Sequence, residues 1–441
     1  MPARGPSPAA DEMDTIFAVS SGAPPAAIAV LRLSGPGAFA AGEALAGALP
    51  VPRRAGLRTL HDPRDGELLD RALLLCFRGP LSATGEDLVE LHLHGGRAVV
   101  RAVEAVLATM SGLRAAEAGE FTRRALMNGR LDLSEAEGLG DLLMAETEAQ
   151  RRVAVRSAEG AVRREVEGWT VRLLELSARV EAVLDHGDED DVASANPLAD
   201  LQDQALRLAE AIAAVASRPP VERLRDGLRV VLAGPTNAGK STLFNALVER
   251  DAAIVSPIAG TTRDRIEAPV VRDGVAYLLT DTAGLADATS DPIERIGVER
   301  ALHAMEAADI VLWLGDDAPP PVLPDLLWVR ARADVPGRAP STGQDVSISA
   351  VTGAGIAALW DRLGSLARTL LPPPDLVALN ARQRDLSERA GAALERASRQ
   401  LDPLLYAEEL RGARRALDAI TGRVGTEDVL DALFGRFCIG K

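Results

Sequence analysis

The chain has 441 residues, 47% of them hydrophobic and 26% charged, with a formal net charge of −15. That length exceeds one ordinary hydrophobic core and predicts about two or three domains, and no uninterrupted apolar run is long enough to cross a bilayer. The acidic balance excludes a protein that grips nucleic acid over a broad surface of its own, so a nucleic-acid substrate requires a local basic patch or a basic partner.

In chain order, residues 1–14 carry prolines and acids and read as a loose tail, not a secretion signal. From 15 to 125 short strands alternate with loops. Ala27–Leu33, Ala72–Phe77 and Leu88–Leu93 are strand-like. His94, Gly95 and Gly96 then open a periodic apolar segment, Ala98–Met110, expected to be helical. From Leu131 to Asp185 apolar residues recur at helical spacing between charges, which predicts long amphipathic helices. The acidic stretch Asp185–Asp191 is expected to be a solvated turn and not a metal site. A further helix, Leu198–Ala216, ends at Pro219 and Pro220. Residues 228–370 alternate strand and helix as in a doubly wound sheet, closed by Pro372, Pro373 and Pro374. The remainder, Leu376–Phe437, is helical again. The expected fold class is therefore multidomain: an α+β N-terminal domain (1–127), a discontinuous α-helical domain (128–222 and 374–441), and an inserted α/β P-loop domain (223–373).

The chemistry is concentrated in that insert. Leu228–Ala233 reads as a buried strand, followed by Gly234, four intervening residues, Gly239, Lys240 and Ser241, and then a helix from Thr242 to Glu249. Strand, glycine loop and helix in this order form a phosphate cradle: the glycines let backbone N–H groups wrap the phosphates and the helix N-terminus favours their charge. Asn237, Ala238, Gly239, Lys240, Ser241 and Thr242 are the expected contacts, with Lys240 on the β- and γ-phosphates and Ser241 on Mg²⁺. Gly260–Asp264 has the form of a first switch. Asp281, Thr282, Ala283 and Gly284 follow the strand Val275–Thr280 as a second switch should, the aspartate facing the Mg²⁺ shell and Gly284 the γ-phosphate. Ser349 and Ala350, after Val346–Ile348, suit a loop that contacts the base. Where GTPases carry Asn-Lys-x-Asp, this chain has Ala331, Arg332, Ala333 and Asp334 after Leu326–Val329. Asp334 can accept from the guanine N1 and N2 groups, while losing the Asn removes a hydrogen bond, a loss of about 1 kcal/mol. The GTPase-type switches favour guanine.

Two residue types are scarce. Cys76 and Cys438, the only cysteines, cannot build a disulfide framework, and a cytoplasmic location is expected. Of 49 basic residues only Lys240 and Lys441 are lysines. Codon drift explains the bias, and it leaves the survivors where a compact ammonium fits better than a planar fork. His92 and His94 share a strand face, and with no third ligand in view they read as polar strand residues, not a metal pair.

These motifs resemble the tRNA-modification GTPase family MnmE (TrmE), and the likeness covers nearly the whole chain. Its most specific marks are Gly260–Asp264, Asp281–Leu285, Glu294–Arg300 and the ending Phe437–Lys441. The resemblance implies that the N-terminal domain is folate-binding-like and mediates dimerisation, and that GTPase domains of a homodimer meet face to face around potassium. Asn237, Ser256, Ile258 (by its carbonyl) and Thr261 would hold K⁺, and Ser241 and Thr262 would hold Mg²⁺. The segment Ser256, Pro257, Ile258, Ala259, Gly260, Thr261 and Thr262 would line the nucleotide, and Glu294 would position water. A tetrahydrofolate derivative (5-formyl- or 5,10-methylene-tetrahydrofolate) would sit on Arg32, Glu90, Arg130 and Lys441, with arginine at 130 where the family usually has lysine. Cys438 is a candidate nucleophile there, or a small hydrophobe packed in the usual way.

The function the family implies is a potassium-activated GTPase partnered in a heterotetramer by MnmG, a flavoprotein that carries FAD. Together they would add an aminomethyl-type group, such as carboxymethylaminomethyl, at C5 of the wobble uridine of certain tRNAs, with no membrane involved. Two other classes compete. A ribosome-assembly GTPase would bind RNA through a basic appendage, whereas the segment after Pro374 is acidic and helical. A folate-dependent aminomethyl-transfer enzyme would use its nucleotide domain only for regulation.

Overall fold

A computed structural model describes residues 14–185, 198–251, 267–282, 302–319, 325–335, 343–423, 433–435, 437 and 439–440. The chain divides into two compact units, residues 1–140 with 421–441, and residues 141–420.

The first unit is built on a six-stranded sheet of β1 (Thr15–Val19), β2 (Ile28–Ser34), β3 (Gly56–His61), β4 (Leu68–Phe77), β5 (Leu88–His94) and β6 (Leu113–Ala115), in the order β3-β4-β5-β2-β1-β6. The pairings are antiparallel except β1–β6. Period-two alternation separates the faces. Ala29, Leu31, Leu33, Val89, Leu91 and Leu93 point into a core with α1 (Ala38–Ala46) and α2 (Arg97–Ala108). The opposite face of β2 and β5 carries Arg32, Glu90 and His92. Beside it, α3 (Glu120–Met127) contributes Phe121 to a small cluster with Ile16, Ala18 and Ala116. The chain's last residues return to this unit. Ile439 bridges Ala118, and the Ser20 hydroxyl donates to the Gly440 carbonyl at 2.7 Å. Gly440 has φ +95°, and a Cβ there would lie 2.0 Å from the Val19 carbonyl oxygen, so only glycine fits.

The expected strands are present: β2 is shifted by one residue, β4 starts at Leu68 and β5 ends at His94. α1 and α3 lie in a stretch read as strands and loops; α1 has an Ala-rich sequence with glycine at its N-cap and no side-chain cap, so it lacks a start signal.

The second unit holds two cores. One is helical: α6 (Ala161–Asp185), α7 (Ala199–Ala216), α11 (Ala381–Ala397) and α12 (Pro403–Ile420) bury a seam that includes Leu173, Leu208, Ile212, Leu394, Leu410 and Leu417. Elements from before and after the nucleotide insert thus pack together. Tyr406, fully buried, donates its hydroxyl to the Leu201 carbonyl at 2.8 Å. The other core is a sheet of β7 (Leu228–Ala233), β8 (Glu267–Arg272), β9 (Val275–Asp281), β10 (Ile310–Trp313), β11 (Leu326–Arg330) and β12 (Val346–Ser347), in the order β12-β11-β10-β7-β9-β8. All pairings are parallel except β8–β9. The helices α9 (Lys240–Asp251) and α10 (Ile356–Leu370) pack on it through Leu243, Leu247, Leu359 and Leu363.

A short helix, α8 (Val221–Arg225), leads directly into β7. Its C-terminal carbonyls, Leu224 and Arg225, accept from the Gln150 side chain at 2.9 and 3.2 Å. Gln150 also closes the capping box with Thr147 at the start of α5 (Glu148–Ala158), the helix that follows α4 (Leu133–Leu143) in the chain. Arg223 pairs with Asp309 at 2.7 Å, and the Val221 N–H donates to Leu379 on the chain leaving the insert. Replacing Leu208, fully buried in the helical seam, by alanine is expected to lower stability by about 2–5 kcal/mol. Urea unfolding followed by circular dichroism reads this, and a change below about 0.5 kcal/mol would contradict the packing described.

Candidate functional site

The parallel strands place their carboxyl ends together, and the order around β7 makes it the switch point of the sheet, with β9 on one side and β10 on the other. The chain leaves β7 through Gly234 (φ +143°), turns at Asn237 (φ +62°) and Gly239 (φ +101°), and enters α9 at Lys240. Gly234 suits this place on two counts: its φ is one that other residues reach only with strain, and a Cβ would crowd the Leu314 backbone at 3.2 Å. A glycine-rich bend that opens on a helix N-terminus suits phosphate, whose charge the helix end favours. Lys240 is buried, and its ammonium donates to the Gly234 and Pro235 carbonyls at 2.9 and 3.0 Å, which holds the charge over the loop. Asn237, Ser241 and Thr242 are exposed, while Ala238 is buried.

From β9 come Asp281 and Thr282, both buried, with the Thr282 hydroxyl donating to the Leu232 carbonyl at 2.7 Å across the sheet. Asp281 stands opposite Leu232 of β7, so it lies at the same end of the sheet as the loop. After β11, Ala331 is buried and Asp334 exposed. The Ser349 hydroxyl and its own backbone N–H, with help from the Arg332 charge, hold the Asp334 carboxyl below the usual carboxylate range. It therefore stays ionised and able to accept hydrogen bonds through neutral pH. Ser349 is itself fixed: its hydroxyl accepts from the Thr352 N–H at 3.1 Å and its N–H bonds Ala354. Ala350 follows, half-buried.

The structure thus brings together Asn237, Ala238, Gly239, Lys240, Ser241, Thr242, Asp281, Thr282, Asp334, Ser349 and Ala350 at the carboxyl ends of the second sheet's strands. Ser256, Pro257, Ile258, Ala259, Gly260, Thr261, Thr262, Ala283, Gly284, Glu294, Cys438, Lys441 and the acidic stretch 186–191 lie outside the described residues. Sequence reading missed Arg332. It has φ +58°, and its Nε lies 3.7 Å from where a Gly239 Cβ would be. The loop after β11 and the phosphate loop therefore approach each other at the position where GTPases carry lysine. The signal was an arginine at that position in a chain that has almost no lysine.

In the first unit Arg32 and Glu90 stand directly opposite on β2 and β5. Arg32 Nε and Nη2 donate to Glu90 Oε1 at 3.1 and 2.7 Å, and the guanidinium lies 5.8 Å from the Phe121 ring centroid. A buried polar network that the sequence did not show lies nearby. The Ser34 hydroxyl bonds Thr84 and Glu86 at 2.7 Å each, and buried Arg124 reaches Glu86 and Glu120 at 3.3 and 3.1 Å. Asn128 donates to the Thr84 carbonyl at 2.8 Å, tying down the turn that carries Arg130. Arg130 is exposed, with its Cγ 3.2 Å from where a Gly85 Cβ would sit. His94 is bonded to Asp70 at 2.7 Å, and no cluster of metal-ligating side chains occurs among the described residues.

A family model described as the MnmE helical domain matches residues 133–438, and one for the N-terminus of the GTP-binding protein TrmE matches residues 15–130. The chain belongs to the MnmE family. The tRNA modification GTPase MnmE of Novosphingobium aromaticivorans is 56% identical over 436 residues, spanning 97% of this chain and 100% of that protein. Its counterpart in Erythrobacter litoralis is 56% identical over 430 residues, with the same two coverages. That of Zymomonas mobilis is 49% identical over 435 residues, again at 97% and 100%. Family membership makes the chain a GTPase, in keeping with the phosphate loop and Asp281 at one end of the sheet.

Replacing Asp334 by asparagine should lower kcat/KM for GTP by roughly ten- to a hundredfold, because a charged acceptor for two base N–H groups is lost. Xanthosine triphosphate, which carries a carbonyl where guanine has its amino group, should gain. A GTP-to-XTP ratio that does not move would contradict the assigned role.

Proposed function

We propose that this chain is a potassium-activated, homodimeric GTPase that works with a flavoprotein, MnmG, in a heterotetramer. Together they add an aminomethyl-type (carboxymethylaminomethyl) group at C5 of the wobble uridine of certain tRNAs. The one-carbon unit comes from 5-formyl- or 5,10-methylene-tetrahydrofolate, and the partner brings FAD. The relatives' shared name supports the tRNA substrate. The observation that carries the reading is the presence in one chain of a phosphate loop and of the Arg32–Glu90 pair, with the C-terminal end docked on the same unit through Ser20 and Gly440.

In the GTPase part, Lys240 and the loop N–H groups bind the phosphates, Asp334 and Ser349 select the base, and Glu294 orients water. Mg²⁺, on Ser241 and Thr262, and K⁺, on Asn237, Ser256, Ile258 and Thr261, would supply positive charge to the triphosphate when bound. The two of these residues that are described fit: Asn237 turns in left-handed backbone with its side chain exposed, and Ser241 is exposed on the first turn of α9. An external cation in place of an arginine finger is physically reasonable, since such charge is worth about 10³–10⁵ in rate.

In the N-terminal part, Arg32, Glu90, Arg130 and Lys441 hold the folate, and Cys438 stands as a candidate nucleophile. The Arg130 backbone N–H donates to the Ala125 carbonyl at 2.8 Å and its side chain is exposed, so its fork can reach a carboxylate tail. The division into residues 1–127, 128–222, 223–373 and 374–441, and a cytoplasmic location, belong to the same proposal. With a net charge of −15, the partner is expected to supply most of the tRNA grip. No helix among the described residues is long and apolar enough to cross a membrane. Membership of the family removes the support for a ribosome-assembly role.

GTP turnover in KCl should exceed that in NaCl at equal ionic strength by at least about tenfold, given the rate that such charge contributes. Equal rates in the two salts would sink the potassium role and leave the rest of the reading standing.

A further inference from the structure

The face of the first sheet that carries Arg32 and Glu90 also carries His92, two residues further along β5 and therefore on the same side of the pleat. The Glu90 carboxylate is held asymmetrically. Both Arg32 hydrogen bonds, 3.1 and 2.7 Å, end on Oε1. Oε2 accepts no hydrogen bond among the described residues, and it lies 3.6 Å from His92 Nε2.

That distance is too long for a hydrogen bond. His92 Nε2 is nevertheless buried and makes no hydrogen bond. Its cross-strand neighbours are Val30 on β2 and Leu73 on β4, which offer it no side-chain acceptor. Buried polar nitrogens in folded proteins are nearly always satisfied, and the acceptor facing this one is Glu90 Oε2. A small torsional change in either side chain closes the gap. His94, on the same strand face, is different: its ring is bonded to Asp70 at 2.7 Å and is largely exposed.

We propose that His92 is a positioning residue for Glu90 in the folate site. Its Nε2–H donates to Oε2 once a ligand engages the carboxylate. With Arg32 on one oxygen and His92 on the other, the carboxylate plane is fixed. Two of the four acceptor sites are filled by Arg32 and one by His92, so the one left, on Oε2, is presented in a fixed direction to a ligand N–H donor such as the 2-amino or N3–H group of a pteridine. The inference rests on the folate reading given above and adds a residue, a hydrogen bond and a basis for ligand selection to it.

The test titrates 5-formyltetrahydrofolate into the full-length protein by calorimetry, comparing wild type with His92→Gln, His92→Asn and His92→Leu. Glutamine places an amide nitrogen near the position of Nε2, whereas asparagine places it near Nδ1. Glutamine should bind within about threefold of wild type, and asparagine and leucine should each weaken binding roughly tenfold, the equivalent of one lost hydrogen bond to a charged group. GTP turnover and Tm should stay at wild-type values, and His94→Asn should bind as wild type does. If asparagine and leucine bind like wild type, or glutamine weakens binding as much as leucine, the positioning role is overturned. Should leucine lower Tm, the glutamine–asparagine pair decides alone. A wild-type protein that binds no folate would overturn the folate reading itself, and this inference with it.

Discussion

The five-residue helix Val221–Arg225 is the point where three stretches of the second unit are tied to one another. Gln150, itself fixed in a capping box, donates to the last carbonyls of this helix; Arg223 pairs with Asp309 at the foot of the sheet; and the Ala381 N–H donates to Glu222 at 2.8 Å. The helix runs straight into β7, whose end forms the phosphate loop. Helix-end carbonyls have no partner within their own helix, and a buried one left unsatisfied costs about 1–3 kcal/mol. The Gln150 amide therefore does more than close its own capping box: it satisfies the end of the helix that runs into β7, the strand whose far end carries Gly234 and Lys240.

From that anchor the nucleotide end follows by ordinary sheet physics. β7 is central, so its carboxyl end faces loops from both sides, with Asp281 and Thr282 from one neighbour and Leu314 from the other. Gly234 and Gly239 adopt backbone that other residues reach only with strain, and at Gly234 a Cβ would crowd the Leu314 backbone at 3.2 Å. The loops after β11 and β12 are joined through Ser349 and Asp334, a hydrogen bond that favours the charged carboxylate. Where the usual asparagine is replaced by Ala331, the nearby Arg332 closes on the phosphate loop.

Much of this was legible in the sequence because its signals are local. The phosphate loop needs only a strand, a glycine-rich turn and a helix in order, and all three are written between Leu228 and Glu249. The packing of α6 and α7 with α11 and α12 follows from helical periodicity on both sides of the insert. What escaped depends on long-range pairing. The distance between His92 and Glu90 matters only because β2 leaves Val30, and β4 leaves Leu73, beside the imidazole. The buried Ser34–Thr84–Glu86–Arg124 network joins residues up to ninety positions apart, none of which forms a motif. The helix Ala38–Ala46 was missed because alanine and glycine carry little periodic signal and its N-cap offers no side-chain bond. Gly440 stands in the sequence only as part of the ending Phe437–Lys441, and its place against the first sheet, set by its φ and the approach of the Val19 carbonyl, shows only in the fold.

The central claim is that one chain joins a GTP-driven domain to one-carbon chemistry on tRNA. Mass spectrometry of tRNA nucleosides from cells lacking this protein tests it most directly. The account predicts that carboxymethylaminomethyl-type groups vanish from wobble uridines and return when the intact gene is restored. Wobble uridines modified to the same extent with and without the protein would contradict it.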